Sequence, residues 1–321
     1  MSKCGVIWGS AIGGMKTFED EIANYYSHPQ KPSFSPYFIP KIIPDIVSGL
    51  VAIKYGFLGV NFAAVSACAS STHSIIAAYQ NIKLGKANLI IAGGSEAAIT
   101  PSGIGGFNAF KGLSQKNDDP KKASRPFDIN RDGFVVGEGA GAIILEDLEH
   151  AQARNATIIA EITGTGMTCD AYHITASHPA GLGAYLAFKE ALMEAGLNIG
   201  EIDYINAHAT STQLGDISEM KAINMLVEES KTQVDFLISS TKSMTGHLLG
   251  AAGAIELIAS LLSMKNNIIP ATINTQEIDP EIPLKNAICL HKFTPKTVKN
   301  IASLNFGFGG HNAAIVATDY L

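Results

Sequence analysis

The stretch from Val60 to Lys83 reads VNFAAVSACASSTHSIIAAYQNIK and decides the fold. Its first six residues form an apolar, strand-like run. From Ala69 onwards, isoleucines and a tyrosine recur at helical spacing, which predicts a helix as far as Lys83. Cys68 stands between the two elements, at the predicted start of the helix. A strand, a cysteine and a helix in this order indicate one unit of an α/β protein.

Strands and helices alternate twice along the chain. The first round has predicted strands at Val6–Trp8, Val60–Val65, Asn88–Ala92 and Phe134–Leu145. The second round has predicted strands at Ile158–Thr163, Asp203–Ala207, Phe236–Ser240, Ile301–Leu304 and Ala313–Ala317. Helices are predicted at Ala184–Ala195 and Leu248–Met264, and a capping-box pattern over Asp216–Glu219 predicts the start of another. The chain is therefore predicted to be α/β, with two β/α halves at residues 1-155 and 156-321.

Composition excludes several classes of function. The 321 residues are 46% hydrophobic and 16% charged, which suits a large buried core. The net charge is -6 without a basic block, so no nucleic-acid surface is predicted. The apolar stretch Leu248–Met264 has Glu256 at its centre and is shorter than a membrane span, so it is interpreted as a buried helix. Four scattered cysteines and the lack of a signal peptide predict a reduced, cytoplasmic protein.

Cys68 has the position of a nucleophile. Only the thiolate attacks well, and a helix N-terminus lowers the pKa of a thiol because its dipole and free N–H groups favour negative charge. The same N–H groups can hold the oxyanion of a thioester under attack. Many cysteines are simply small buried apolar residues, however, and position alone gives the two interpretations equal weight.

Two histidines and a lysine have residue types that such a thiol would use. His208 and His247 lie among small residues at predicted strand or loop ends. Two neutral imidazoles can donate N–H bonds to an enolate oxygen, although each alone is better explained as a core histidine with satisfied hydrogen bonds. Glu256 needs a partner if buried, so Lys242 either pairs with it or faces solvent. No HExxH motif is present, and no metal site is predicted.

The chain closely resembles the β-ketoacyl-acyl carrier protein synthases of type II, the elongating enzymes of the thiolase-like superfamily. The resemblance covers essentially the whole chain. It rests on Gly9–Gly14, Ser35–Pro40, Ala67–Ser70, Ala92–Glu96, Ser124–Asp128, Arg131–Phe134, Asp170–His173, Asn206–Thr212, Ser239–His247 and Phe306–Gly310. It implies a thiolase-like fold in which duplicated β/α halves form a layered α-β-α-β-α core.

The resemblance implies a catalytic role for each matching residue. Cys68 corresponds to the nucleophile that accepts the acyl group. His208 and His247 correspond to the pair that drives malonyl decarboxylation and stabilises the resulting enolate. Lys242 and Glu256 correspond to a supporting ion pair. These roles imply acyltransferase chemistry.

The resemblance also implies how substrates bind. The backbone amides of Cys68 and Phe308 correspond to the oxyanion hole, and the Phe308 ring to a gate for the second substrate. The substrate-binding positions are Phe306, Thr210 and Thr212, the two threonines holding the phosphopantetheine arm, together with Phe107, Gly103 and Ile12 at the acyl pocket. Ile12 is expected to reach that pocket across a dimer interface.

The implied activity is 3-oxoacyl-[acyl carrier protein] synthesis, the decarboxylative Claisen condensation of malonyl-carrier protein with a Cys-bound acyl chain in fatty-acid elongation. The enzyme is expected to be a homodimer without a cofactor of its own, because phosphopantetheine arrives on the acyl carrier protein. Three departures from the family pattern stand out: Ala209 and Ala11 replace common glycines, and Leu304-Asn305 replaces Asn-Ser. Ala209 is expected to be strained if its φ is positive, and Ala11 to narrow the acyl pocket.

Family members begin with a further strand and helices before the segment that here starts at Met1. With that strand placed centrally in the N-terminal sheet, we expect an incomplete first half with unpaired backbone and exposed apolar surface. The alternative function is a truncated, non-catalytic protein that only binds carrier protein or pairs with a full-length synthase. A degradative thiolase would need a second catalytic cysteine, and Cys289 lies outside any Gly-rich motif.

Overall fold

The computed structural model describes residues 1–320. The first half contains β1 (Cys4–Gly9), α1 (Met15–Ser27), α2 (Phe38–Ile42), α3 (Ile46–Tyr55), β2 (Asn61–Ala64), α4 (Ser70–Lys83), β3 (Leu89–Glu96), α5 (Pro101–Ala109), β4 (Gly139–Glu146) and α6 (Leu148–Ala153). The second half contains β5 (Ala160–Cys169), α7 (Leu182–Ala195), β6 (Tyr204–Asn206), α8 (Gln213–Ser230), β7 (Leu237–Ser239), α9 (Lys242–Thr245), α10 (Ala252–Asn266), β8 (Ile268–Ile269), β9 (Thr294–Pro295), β10 (Asn300–Gly307) and β11 (His311–Asp319).

The two main sheets repeat one topology. The first sheet has the order β2-β1-β3-β4, and β4 is its antiparallel strand. The second sheet contains the same arrangement as β7-β6-β10-β11, with β11 antiparallel to β10. One further strand, β5, pairs antiparallel with the outer edge of β11. The predicted duplication of β/α halves is therefore confirmed.

The first sheet has no gap at its centre. β1 pairs directly with β3 from Cys4–Leu89 to Gly9–Gly94, so the expectation of unpaired backbone in the middle of this sheet is wrong. In the second half, the strand that comes first in the sequence lies at the sheet edge, beside β11. The corresponding place in the first half is the outer edge of β4. Among residues 1–320 no strand pairs there, and Ile144 on β4 is 59% exposed.

Helices and sheets form five layers. α4 and α10 pack together between the two sheets, whereas α3 covers β1 and β2, and α7 covers β5 and β11 on the outer faces. The central core is built from apolar side chains of both sheets and both inner helices, among them Ile7, Ile75, Ile90, Leu257 and Ile315. Burial on two faces explains the nearly continuous apolar strands of the sequence. None of the described helices is long and apolar enough to span a membrane.

Candidate active site

The nucleophile stands on a sharp turn between β2 and α4. Cys68 lies in a single 3-10 turn, Ala67–Ala69, directly before the first residue of α4. Ala67 has a φ of 50°, in the left-handed region that residues with a Cβ seldom adopt. The Cys68 side chain is 8% exposed and packs in an apolar cluster with Ala98, Phe134, Val136 and Leu249. The turn thus presents the thiol from the end of the strand to a largely dry pocket.

Burial governs the acidity of this thiol. Desolvation raises the pKa of Cys68 to about 12, while the charge of Lys242 and a hydrogen bond from the Phe308 backbone N–H lower it. The predicted lowering of the thiol pKa by the helix N-terminus is therefore wrong in its net sign, because loss of water disfavours the thiolate more strongly. At neutral pH the thiol is protonated, and attack by its sulfur requires the proton to leave.

His208 and His247 meet beside the thiol, one after β6 and the other after α9. Their ring centroids are 5.3 Å apart, with the ring planes at 89°. Burial, together with the charge of Lys242, holds the pKa of both imidazoles well below the usual range, so both are neutral. Both Nδ1 atoms are buried without a hydrogen-bond partner. Since an orphaned acceptor costs less than an orphaned N–H donor, the proton belongs on Nε2 in each ring.

Lys242 and Glu256 form a buried ion pair, one of the two arrangements that the sequence left open. The ammonium contacts Glu256 Oε1, and the two side chains are 1% and 3% exposed. Burial raises the pKa of the Glu256 carboxyl, whereas Lys242 and the Asn305 amide lower it. The lysine charge is thereby held in the interior, where it acts on the thiol and on both imidazoles.

The end of β10 touches the nucleophile turn and supplies a donor to it. The Phe308 backbone N–H, just past the end of this strand, lowers the pKa of the Cys68 thiol. A Cβ on Gly307 would lie only 2.6 Å from the Ser66 carbonyl oxygen and 3.1 Å from the Cys68 nitrogen. Glycine is therefore required for this close approach. The Phe308 ring packs edge-on against Phe110, with centroids 5.6 Å apart.

One cleft of about 500 Å³ brings most of the predicted residues together. It is lined by the catalytic candidates Cys68, His208, His247 and Phe308 and by the substrate-binding candidates Phe107, Thr210, Thr212 and Phe306. Lys242 and Glu256 do not line the cleft and act from behind it. The thiol, the two imidazoles and the Phe308 backbone that the implied reaction needs therefore line a single cleft.

Two of the predicted acyl-pocket residues, Ile12 and Gly103, do not line this cleft. Ile12 packs against the Cys68 cluster of its own chain. The expectation that it reaches the pocket across a dimer interface stays a prediction. Gly103 lies in α5, where a Cβ would come within 2.0 Å of the Ala98 carbonyl oxygen. Ala11 also packs against the Cys68 cluster, and the narrowing of the acyl pocket expected of it stays a prediction.

Glu219 is a supporting residue that the sequence analysis assigned wrongly. α8 begins at Gln213, upstream of the predicted capping box, and Asp216 and Glu219 are buried within the helix instead of capping its start. The two oxygens of Glu219 accept the backbone N–H groups of His208 and Ala209, each at 2.7 Å. Burial raises the pKa of Glu219 to about 8, and those two N–H groups oppose the rise. The carboxyl fixes the loop that carries His208.

Asp216 and Glu96 act in the same way on neighbouring loops. Asp216 accepts the backbone N–H of Ser211 at 3.2 Å and pairs with the buried Arg131. Glu96 accepts the backbone N–H of Ala11 at 2.7 Å. The sequence signal for these residues, which accept backbone N–H groups of loops at the site, is an acidic residue within an otherwise apolar segment. Ala209 does not have a positive φ, so the strain considered for it does not arise.

Comparison with known proteins gives matches along most of the chain. The family "Beta-ketoacyl synthase, N-terminal domain" matches residues 1–151, and "Beta-ketoacyl synthase, C-terminal domain" matches residues 159–276. The chloroplastic 3-oxoacyl-[acyl-carrier-protein] synthase II of Arabidopsis thaliana is 44% identical over 319 residues, which are 99% of this chain and 58% of that protein. The 3-oxoacyl-[acyl-carrier-protein] synthase 2 of Coxiella burnetii is 45% identical, over 98% of this chain and 75% of that protein.

Solved structures match the whole chain. A ketosynthase complex with its type II PKS acyl-carrier protein, bound to a hexaketide, has a TM-score of 0.92 and 31% identity, over 100% of this chain and 79% of that one. A β-ketoacyl synthase from Burkholderia phymatum has a TM-score of 0.90 and 34% identity, over 100% of this chain and 76% of that one. These matches confirm the thiolase-like fold class.

Proposed function

The chain belongs to the β-ketoacyl synthase family, and we propose that it catalyses the 3-oxoacyl-[acyl carrier protein] synthase reaction of fatty-acid elongation. The observation that carries the proposal is the meeting of Cys68, two neutral imidazoles and the Phe308 N–H in one cleft. A nucleophile, two donors for an enolate and a donor for an oxyanion are what this reaction needs. The relatives named as such synthases support the same assignment.

In the first half-reaction, Cys68 accepts the acyl group. Its sulfur attacks the carbonyl carbon of an acyl thioester while the thiol proton leaves. The backbone N–H groups of Cys68 and Phe308 hold the oxyanion, a role supported by the close packing of the end of β10 on the turn that carries Cys68. The intermediate collapses by breaking the bond to the carrier thiol, which departs carrying a proton. The thioester to the carrier thiol is thereby exchanged for a thioester to Cys68.

In the second half-reaction, a malonyl thioester loses carbon dioxide. The bond to its carboxylate breaks, and the electron pair forms an enolate whose oxygen accepts the Nε2–H groups of His208 and His247. The enolate carbon then attacks the Cys68 thioester. The carbon–sulfur bond breaks, the β-ketoacyl product stays on its carrier, and Cys68 recovers a proton. Both imidazoles are neutral, and a neutral imidazole can polarise the carbonyl oxygen through its N–H.

The cleft mouth suits a phosphopantetheine thioester carried by an acyl carrier protein. Thr210 Oγ1 and Thr212 Oγ1 lie 3.1 Å apart and can hydrogen-bond the amides of the arm. The exposed Lys111 lines the same cleft, where its charge would attract the phosphate of the arm. Lys111→Glu is expected to raise the KM for malonyl-carrier protein about tenfold or more with little change in kcat. The solved ketosynthase with its carrier protein supports this partner.

We also propose that two copies associate through β2. This strand lies at one edge of the first sheet, and α3 beside it exposes Leu50 and Ile53 by 60% and 81%. Pairing of β2 with its copy would continue the sheet and bury these side chains. Ile53→Asp is expected to give a monomer in size-exclusion chromatography with light scattering. Leu262→Asp, at a 50% exposed position on α10, is the matched control and should not change the mass.

The activity is tested by incubating the purified chain with acyl-carrier protein and malonyl-carrier protein. Mass spectrometry should find one acyl adduct on Cys68 and a β-ketoacyl product two carbons longer, and Cys68→Ala should lose both. A folded chain that binds carrier protein but forms neither adduct nor product would refute the enzyme. That outcome would favour the non-catalytic alternative.

A further inference from the structure

Four buried polar side chains form a continuous row behind the cleft. Thr72 Oγ1 donates to Asn305 Oδ1 at 2.6 Å, and Asn305 Nδ2 donates to Glu256 Oε2 at 2.7 Å. The other oxygen of Glu256 contacts Lys242. Thr72, Asn305, Lys242 and Glu256 are 1%, 0%, 1% and 3% exposed, so the row is sealed from solvent.

The row connects the elements that carry the nucleophile, the oxyanion donor and the lysine charge. Thr72 lies on α4, one helical turn after Cys68. Asn305 lies on β10, the strand that leads to Phe308. Glu256 lies on α10 and Lys242 on α9. A shift of any member of the row would therefore move the nucleophile, the oxyanion donor or the charged lysine side chain.

Gly253 on α10 leaves the space that this row needs. A Cβ at Gly253 would lie 1.9 Å from Thr72 Oγ1 and 2.7 Å from Asn305 Oδ1. Any larger residue would displace the hydrogen bond between those two atoms. The helix therefore accommodates the Thr72–Asn305 contact through a glycine, which is otherwise unfavourable inside a helix.

The amide of Asn305 can donate a hydrogen bond to Glu256 without adding a second charge beside it. Lys242 occupies one oxygen of the Glu256 carboxylate, and the other needs a donor because no solvent reaches it. Asn305 supplies that donor without adding charge. The Thr72 hydroxyl, by donating to Oδ1, fixes which end of the amide faces Glu256, since a flipped amide would place oxygen against oxygen.

We propose that Asn305, oriented by Thr72, is a positioning residue that keeps Glu256 turned toward Lys242 and so fixes the lysine charge behind Cys68, His208 and His247. The inference rests on the condensing reaction proposed above. It assigns a role to the Leu304-Asn305 departure from the family pattern, in which Asn305 stands where serine is usual. The shorter serine side chain would leave a longer gap to Glu256 Oε2.

Asn305→Asp tests the inference through its pH dependence. A protonated Asp has the shape of Asn and can donate its O–H to Glu256, whereas an ionised Asp repels it. Two adjacent carboxylates share a proton, so the new group loses it at a raised pH. The malonyl decarboxylation rate of the variant relative to the parent is expected to fall at least tenfold between pH 6 and pH 9. A relative rate that stays constant across this range overturns the proposal.

Asn300→Asp is the matched control on the same strand. The Asn300 amide donates to the Glu201 backbone oxygen at 2.8 Å and does not contact the row. The malonyl decarboxylation rate of Asn300→Asp relative to the parent should not vary with pH. Circular dichroism at each pH establishes that the variants being compared are folded.

Thr72→Val provides a second test that does not add charge. The amide of Asn305 loses the donor that orients it, and kcat for decarboxylation is expected to fall about tenfold while KM stays unchanged. A kcat equal to that of the parent overturns the proposal, even where Asn305→Asp fails to fold. Iodoacetamide alkylation of Cys68 in Asn305→Asp should slow relative to the parent as pH rises, because the ionised Asp disfavours the thiolate. A parent without decarboxylase activity would refute the proposed function, while this alkylation still decides the role of Asn305.

Discussion

The backbone of Gly307, at the end of β10, packs so closely on the turn that carries Cys68 that a Cβ at Gly307 would lie 3.1 Å from the Cys68 backbone nitrogen. The next residue, Phe308, lowers the pKa of the Cys68 thiol through its backbone N–H. Two segments 240 residues apart in the chain, at positions 68 and 308, thereby come together at the proposed oxyanion site. The contact requires Gly307, whose missing side chain lets the backbones of the strand and the turn touch. The geometry of the proposed site therefore depends on a residue that contributes no side chain.

Gly307→Ala is expected to slow acylation of Cys68 about 10²-fold, because displacing the strand removes one oxyanion donor. The added Cβ would come within 2.6 Å of the Ser66 carbonyl oxygen, and backbone must move to relieve the overlap. Stopped-flow acylation with an acyl-carrier protein measures the effect. Gly105→Ala, at a position on α5 with no atom within 4 Å of the added Cβ, is the control and should retain the parent rate. Equal rates in the two variants would contradict the assigned oxyanion site.

Alkylation of Cys68 by iodoacetamide is expected to rise about tenfold per pH unit from pH 7 to pH 10 without reaching a plateau. Burial raises the pKa of this thiol to about 12, so the thiolate fraction still grows at the upper end of the range. Mass spectrometry of the Cys68 peptide gives the rate, and Cys68→Ala provides the blank. A plateau below pH 9 would show that the thiolate is stabilised in the resting enzyme.

Glu219→Gln is expected to destabilise the fold by about 1–3 kcal/mol, since one of the two N–H groups held by the carboxyl loses its acceptor. The loss should be larger at pH 5 than at pH 8. The folded-state pKa of Glu219 is raised to about 8 from 4.5, so the unfolded chain releases the proton first and the carboxyl contributes less stability as pH rises. Urea unfolding at the two pH values measures the difference. Glu228→Gln, on the exposed face of α8 beside Asn224, should change stability little at either pH.

The sequence predicts the alternating elements well because their signals are local. Strands β1, β3 and β11 overlap the apolar runs, and α7 ends at Gly196, whose φ of 69° a glycine favours. The helices α1 and α3 were not predicted. α1 does carry apolar residues at helical spacing, Met15, Phe18, Ile22 and Tyr25, so its sequence held a signal for this helix although none of its residues is buried.

The site was predictable as a set of residue types but not as an electrostatic environment. The positions of Cys68, His208 and His247 at element ends follow from local pattern. The net sign of the thiol pKa shift does not, because desolvation depends on side chains brought in by distant segments, such as Phe134 and Leu249. The inward turn of Glu219 is equally non-local. A short acidic pattern is compatible with a helix cap and with a buried carboxylate that accepts backbone N–H groups of a loop. Only tertiary packing decides between these two roles.

Ile144→Lys is expected to suppress concentration-dependent aggregation of the chain. The outer edge of β4 is unpaired among residues 1–320, and Ile144 on it is 59% exposed. Such an edge offers free backbone donors and acceptors to another chain, and a lysine there disfavours strand addition through charge and hydration. Light scattering at rising protein concentration measures the change. Leu148→Lys adds the same charge at a 47% exposed position on α6, away from the strand edge, and should leave aggregation as in the parent. Equal suppression by both variants would assign the effect to net charge and not to the open strand.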